Sequence, residues 1–180
     1  KKMVPPERFG VQVMSMGFFQ KKEEEAIIWR GPMVHNAINQ LLQTTEWGDL
    51  DYLVIDLPPG TSDSPLTIMQ TLTLDGFIVV TTPQELARID ALRSINMIKT
   101  LNVRVLGVVE NFSGDIFGSG AGEELAGELQ LPFLGRMELR SDYRDTSQPT
   151  ALTSKSVLEE YSYMAKQAQN ELSKTTTVEH

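Results

Sequence analysis

The sequence predicts an α/β fold of the doubly wound type, with a mostly parallel sheet flanked by helices. Two observations support this prediction. Short continuous apolar runs, such as residues 53–55 and 77–80, are typical of strands buried on both faces of a parallel sheet. Between these runs lie amphipathic stretches long enough for helices, and strands that alternate with helices favour βαβ crossovers.

Strands are predicted where the apolar runs end in turn or polar residues. Residues 10–16 form the first run, which ends at Gly17, and residues 52–55 form the second, which Asp56 ends. The remaining runs are residues 76–81, 103–110 and 132–135, of which the last is expected at the edge of the sheet.

Helices are predicted where apolar residues recur at helical spacing. They cover residues 32–42, 64–74, 84–101, 123–129 and 157–172. Pro32 suits the first turn of its helix. The charged run at residues 23–25 is predicted to be a loop, and so is the glycine-rich stretch at residues 117–122.

The composition of the 180-residue chain, 41% hydrophobic and 22% charged, suits one domain with a sizeable core. We expect this domain over residues 1–174, with residues 175–180 as a vector-derived tail. The net charge of -8 argues against nucleic acid or an acidic membrane as a partner. No signal peptide or membrane span is evident, so a cytoplasmic location is expected. The chain has no cysteine, which excludes thiolate metal ligands within it.

Asp56 stands at the carboxyl end of a predicted strand, where open α/β sheets bind their ligands. In phosphate-binding folds a carboxylate at this place usually holds Mg²⁺, directly or through water. Gly60 would let the backbone pass close to a ligand, and we expect Gly60 and Thr61 to sense the terminal phosphate of a nucleotide. The alternative is that Asp56 only caps a turn before a helix.

Two further strand ends are polar, at Thr81 with Thr82 and at Glu110 with Asn111. In a doubly wound sheet these ends line the same crevice, which makes a Mg²⁺–nucleotide the expected ligand. The amide of Asn111 both donates and accepts, so it could recognise the edge of a purine. The alternative is that Asn111 only forms a turn after its strand. No phosphate loop of the G-x-x-x-x-G-K-[ST] type occurs in the chain.

Several segments together resemble the Mrp/ApbC family of iron–sulfur cluster carrier ATPases, relatives of the MinD/ParA deviant-Walker P-loop ATPases. The matching motifs are Trp29-Arg30-Gly31-Pro32-Met33, Asp56-Leu57-Pro58-Pro59-Gly60-Thr61, Glu110-Asn111-Phe112-Ser113 and Pro132-Phe133-Leu134-Gly135. The likeness extends from about Gly10 to Tyr161.

This resemblance implies an ATP-binding homodimer that carries a labile [4Fe–4S] cluster and passes it to apo-proteins. Asp56 matches the Walker B aspartate, with a role toward Mg²⁺, and Gly60 and Thr61 match the switch loop behind it. Asn111 matches the asparagine that contacts adenine, and Pro132 begins a segment that packs near the base. ATPase activity is implied as well.

The chain departs from the family pattern in two places. The family's deviant phosphate loop lies upstream of the region where this chain begins, so we expect the N-terminal unit of the family domain to be missing. The family's Cys-x-x-Cys loop is also missing, and Ser113-Gly114 joins Asp115 directly. We interpret this junction as a gap left by an omitted loop, and the alternative is a shortened homologue that lost both features. The residues present include no iron–sulfur ligand. The alternative function is a non-catalytic nucleotide-binding or scaffold protein that lacks phosphate loop and cluster.

Overall fold

The computed structural model describes residues 2–19, 31–57 and 63–174. The chain divides at Thr73 into two compact units, Lys1–Thr73 and Leu74–His180, and each is described by itself. The predicted loop at residues 23–25 and the predicted tail at residues 175–180 lie outside the described residues. Within the described ranges, no helix combines the length and the apolar character that crossing a bilayer requires. The single domain predicted for residues 1–174 stays a prediction.

The first unit contains a short antiparallel hairpin and two helices that pack on each other. Its elements are β1 (Glu7–Arg8), β2 (Val11–Gln12), a 3₁₀ helix (Met16–Phe19), α1 (Gly31–Thr44) and α2 (Asp63–Thr71). The predictions of helices from Pro32 and around residues 64–74 are confirmed.

The prediction of a strand over residues 10–16 is wrong, because the observed strand is much shorter and its pairing is antiparallel. Phe9 and Gly10 both have positive φ, 56° and 75°, and they turn the chain back on itself. Only Val11–Gln12 therefore pairs, and it pairs antiparallel with Glu7–Arg8. The 3₁₀ helix then begins at Met16.

The predicted strand at residues 52–55 does not form. Residues 52–57 belong to no strand, and the side chain of Val54 is 89% exposed. A strand needs neighbouring backbone with which to exchange hydrogen bonds, and none of the described strands pairs with this segment. Asp56 is an exposed residue of this non-strand segment.

The second unit is a three-stranded parallel sheet with helices packed against it. Its strands lie in the order β3-β4-β5, with Val79 beside Val108 and Val109 beside Gly135. The elements are β3 (Phe77–Thr81), α3 (Glu85–Thr100), β4 (Val105–Ser113), α4 (Ala121–Glu128), β5 (Phe133–Glu138), α5 (Thr150–Thr153) and α6 (Lys155–Ser173). The predicted α/β class is confirmed, as is the place of β5 at the edge of the sheet.

The core of the second unit lies where α3 and α4 meet the sheet. Ile95 of α3, Val108 of β4 and Leu125 of α4 have no exposed surface. Burying side chains of this size stabilises a fold by roughly 1.5–3 kcal/mol each. This core fixes β3 and β4 side by side, so the carboxyl ends of both strands lie at one edge of the sheet.

Helix α6 crosses β5 so closely that a side chain at position 135 has no space. Gly135 has a φ of 142°, which L side chains rarely adopt. A Cβ atom there would lie 2.9 Å from Cγ of Met164 and 3.2 Å from Cδ1 of Tyr163. Glycine is therefore required by both the backbone and the contact with α6.

We expect Gly135→Ala to lower the free energy of unfolding by about 2 kcal/mol or more, because it adds both backbone strain and overpacking. Gly127→Ala is the matched control, since no atom lies within 4 Å of its Cβ position and it lies in α4. That control should be neutral or stabilising by up to about 1 kcal/mol. Urea unfolding measures both, and equal midpoints would contradict the close crossing of α6.

Candidate functional site

The carboxyl end of the sheet in the second unit places buried polar residues next to one another. Thr81, the last residue of β3, lies beside Glu110 of β4, and Arg136 of β5 lies on the other side of Glu110. Thr81 is 3% exposed, and Glu110 has no exposed surface. A fully buried carboxylate is rare unless it is paired or hydrogen-bonded.

The carboxylate of Glu110 accepts hydrogen bonds from three neighbours. The hydroxyl of Ser113 donates to Oε1 at 2.7 Å, and the N–H of Gly122 donates to Oε2 at 2.7 Å. The N–H of Gly120 is shared between both oxygens at 3.0 Å. Gly120 and Gly122 lie at the start of α4, so the carboxylate satisfies N–H groups that a helix leaves free at its first turn.

These contacts set the charge of Glu110. Burial works to raise the pKa of Glu110, but the hydrogen bonds from Gly122, Ser113 and Gly120 outweigh it, and the charge of Arg136 adds to them. The pKa of Glu110 is therefore below its ordinary value. The ionised carboxylate stabilises the fold above the ordinary glutamate range near ~4.3, and this contribution is lost as the pH falls below that range.

The segment after β4 folds into a closed hairpin. The N–H of Gly114 donates to the carbonyl of Gly118 at 2.9 Å, and the N–H of Gly118 donates back at 2.8 Å. The expectation that a loop is omitted between Ser113 and Asp115 stays a prediction. The large apolar side chains of this segment face solvent: Ile116 is 71% exposed, and Phe117 is 41% exposed.

Asn111 lies at the end of β4, between Glu110 and the hairpin. Its Oδ1 accepts the N–H of Phe112 at 2.9 Å, which supports a φ of 58° at Phe112. Its Nδ2 has no hydrogen bond within the described residues, and the side chain is half-buried. Asn111 thus acts as a turn-former through its oxygen and keeps its amide donor available.

Of the other predicted site residues, Pro132 belongs to the same unit as Asn111. Pro132 precedes β5, where its carbonyl accepts the N–H of Val108 at 2.9 Å, so it lies toward the other end of the sheet. Asp56 belongs to the first unit. Gly60 and Thr61 lie outside the described residues. The roles assigned to these residues stay predictions.

No described residues form a cluster of three or more His, Cys, Asp or Glu side chains that could hold a metal ion by themselves. The role of Glu110 was missed at the level of sequence, where a carboxylate at a strand end suggests a ligand site. A signal existed in Ser113, Gly120 and Gly122, small residues that can bring donors close to a buried acceptor.

We expect Glu110→Gln to lower the free energy of unfolding by about 2–3 kcal/mol at neutral pH, because an amide cannot accept all of these hydrogen bonds. The difference from the parent protein should shrink as the pH falls below the glutamate range, since the parent then loses its ionised carboxylate. Urea unfolding at several pH values measures this. Glu124→Gln, at an exposed position of α4, is the matched control and should lower the free energy of unfolding by about 0.5 kcal/mol, because it removes one charge from the first turn of the helix. A midpoint unaffected by Glu110→Gln would contradict the role given to this carboxylate.

The fold of this chain is similar to that of a solved nucleotide-binding protein. A nucleotide-binding protein from Archaeoglobus fulgidus, solved in complex with ADP, superimposes with a TM-score of 0.62 and 34% sequence identity. The match covers 78% of this chain and 58% of that one.

Named relatives are more similar still. An iron–sulfur cluster carrier protein of Methanocaldococcus jannaschii is 46% identical in an alignment of 149 residues that covers 77% of this chain and 51% of the relative. The iron–sulfur cluster transfer protein NUBPL of Dictyostelium discoideum is 43% identical in an alignment of 155 residues that covers 81% of this chain and 48% of the relative. This chain thus spans about half the length of these curated relatives.

The family match confirms the resemblance to iron–sulfur carriers drawn from the motifs. Residues 1–175 match the ParA family, described as NUBPL iron-transfer P-loop NTPases. The match extends over both compact units, so it does not depend on a single motif. The chain belongs to the family of NUBPL iron-transfer P-loop NTPases.

Proposed function

We propose that this chain is the nucleotide-binding part of an iron–sulfur cluster carrier. The carrier assembles a [4Fe–4S] cluster or transfers it to apo-proteins, and the binding or hydrolysis of Mg-ATP switches it. The observation that carries this proposal is the family match over residues 1–175. A homodimer in the cytoplasm, with apo iron–sulfur proteins as recipients, completes the proposal.

Asn111 is the residue that we propose recognises the base. Its oxygen is engaged by Phe112, so its orientation is fixed, and its Nδ2 remains a donor for a purine acceptor. The loop that follows is held by Glu110, which keeps Asn111 from moving with the hairpin.

Asp56 is the proposed ligand of Mg²⁺. Mg²⁺ is usually held by one or two carboxylates together with substrate phosphates and water, and an exposed carboxylate fits this requirement. The ion would neutralise charge on the phosphates of ATP. Gly60 and Thr61 are proposed to sense the terminal phosphate. The 180-residue chain contains no G-x-x-x-x-G-K-[ST] loop, so we expect it to bind nucleotide weakly by itself.

The cluster is cargo, and the donor groups of this chain do not fit it. Iron–sulfur clusters are held by cysteine thiolates, and the chain contains no cysteine. We therefore propose that the cluster ligands come from outside these 180 residues.

A second candidate is a non-catalytic nucleotide-binding or scaffold protein of the same fold. The absence of cysteine from the sequence favours it, as does the hairpin closed by Gly114 and Gly118 where the resemblance implied a cysteine loop. The two candidates share the nucleotide site and differ in the cluster.

Asn111→Asp tests the nucleotide site. The change keeps the oxygen that accepts the N–H of Phe112 and removes the amide donor, so we expect the affinity for Mg-ADP to fall about ten-fold. Fluorescence titration measures this, with Asn96→Asp on the exposed face of α3 as the control. An equal loss for ADP and GDP would indicate repulsion of the phosphates instead of base recognition. If the parent chain binds no adenine nucleotide, the nucleotide part of the proposal is wrong.

Anaerobic reconstitution with ferrous iron and sulfide tests the statement about ligands. We expect the chain by itself to retain no cluster after gel filtration, because it has no thiolate to hold one. Iron and sulfide analysis and the charge-transfer absorption of the product give the measurement. A cluster retained in stoichiometric amount would show that non-thiolate ligands in this chain are sufficient.

A further inference from the structure

Strand β4 contains an extra residue near its carboxyl end. Residues 110 and 113 of β4 pair with residues 136 and 138 of β5, so β4 advances three positions where β5 advances two. An inserted residue of this kind is a β-bulge, which changes the direction of the side chains and is frequent beside active sites. The two residues between the flanking pairs are Asn111 and Phe112, and we refer to them as the bulge.

The bulge brings two neighbouring side chains to the surface. The flanking residues Glu110 and Ser113 are buried, with exposed fractions of 0% and 1%, whereas Asn111 is half-buried and Phe112 is 43% exposed. The hydroxyl of Ser113 donates to the carboxylate of Glu110 across the bulge. The N–H of Phe112 donates to Oδ1 of Asn111 within it. These bonds hold the bulge at its base and leave the ring of Phe112 in contact with solvent.

The backbone of Phe112 adopts a conformation that is unfavourable for a large side chain. Four non-glycine residues in the described ranges have a positive φ. Phe9 lies in the turn between β1 and β2, and Asn102 and Gln130 follow the ends of α3 and α4, where left-handed residues are common. Phe112, with a φ of 58°, is the one of these four that lies inside a strand. Because its ring is exposed, burial does not compensate for the strain.

We propose that Phe112 is the aromatic surface on which the purine base stacks, while Asn111 recognises the edge of the same base. Strained backbone conformations of this kind are concentrated at ligand sites, where the strain places a side chain for its ligand. An aromatic ring stacks on the face of any base, and an amide donor beside it adds selectivity for the edge. The inference rests on the proposed function, because the base is the one that Asn111 is there proposed to recognise.

Phe112→Leu tests the stacking role with a closely matched control. The change keeps an apolar side chain and removes the ring, so we expect the affinity for Mg-ADP to fall about ten-fold. Phe112→Tyr keeps the ring and should bind within about two-fold of the parent. The control is Phe117→Leu in the hairpin after β4, because Phe117 is also exposed, at 41%, and its affinity should not change. NMR titration with Mg-ADP measures weak binding directly.

The same titration reports on stacking itself. The H8 and H2 resonances of ADP should shift upfield on binding to the parent and to Phe112→Tyr, because a stacked aromatic ring shields them. Binding to Phe112→Leu should not produce this shift.

Phe112→Gly separates binding from stability. Glycine adopts a positive φ without steric strain. We therefore expect the urea midpoint to equal or exceed that of the parent, while the affinity falls as in Phe112→Leu. A ring with a structural role alone would instead lower the urea midpoint of Phe112→Gly, and this result would overturn the proposal.

Two further results would overturn the stacking role and leave the nucleotide site in place. One is binding of Mg-ADP to the parent without an upfield shift of H8 and H2. The other is an equal loss of affinity in Phe112→Leu and Phe117→Leu, which would indicate a general effect of apolar side chains. Failure of the parent chain to bind Mg-ADP would overturn the proposed function and, with it, the role of Phe112.

Discussion

Glu110 holds a negative charge without exposed surface, and the edge of the sheet where it lies is built to satisfy that charge. A buried carboxylate needs donors, and here they come from Ser113 and from the backbone at the start of α4. Glycine is required at position 122 because a Cβ there would lie 2.9 Å from Cβ of Glu110. One side chain therefore ties β4, the hairpin and α4 together, and Asn111 is held at the point where they meet.

Much of the secondary structure of the second unit could be predicted, because it is indicated by apolar patterns within short stretches of the sequence. The spacing of apolar residues located α3 and α6, and the apolar runs located β3 and β4. Strand pairing is not local, and there prediction failed. The run at residues 52–55 has the composition of a buried strand, yet no described strand pairs with it. Residues 10–16 fold back because Phe9 and Gly10 both take positive φ, which composition does not reveal for phenylalanine.

Within the candidate site, the sequence predicted only the residue that directly follows a predicted strand. Asn111 follows a clear apolar run, whereas the role of Glu110 depends on Gly120 and Gly122, which return to it only in the folded chain. The contact between His35 and Thr67 has the same character, since 32 positions separate the two residues. Both cases show that a polar side chain is defined by partners distant in sequence.

A direct titration of Glu110 tests the central claim about this carboxylate. The carboxyl carbon resonance can be followed by NMR from neutral to acidic pH, with Glu110→Gln to assign it. The account predicts a midpoint below the ordinary glutamate range near ~4.3, because the hydrogen bonds to the charged form outweigh burial. A midpoint at or above that range would mean that burial dominates the pKa. The carboxylate would then not be the charged acceptor that holds β4, the hairpin and α4 together.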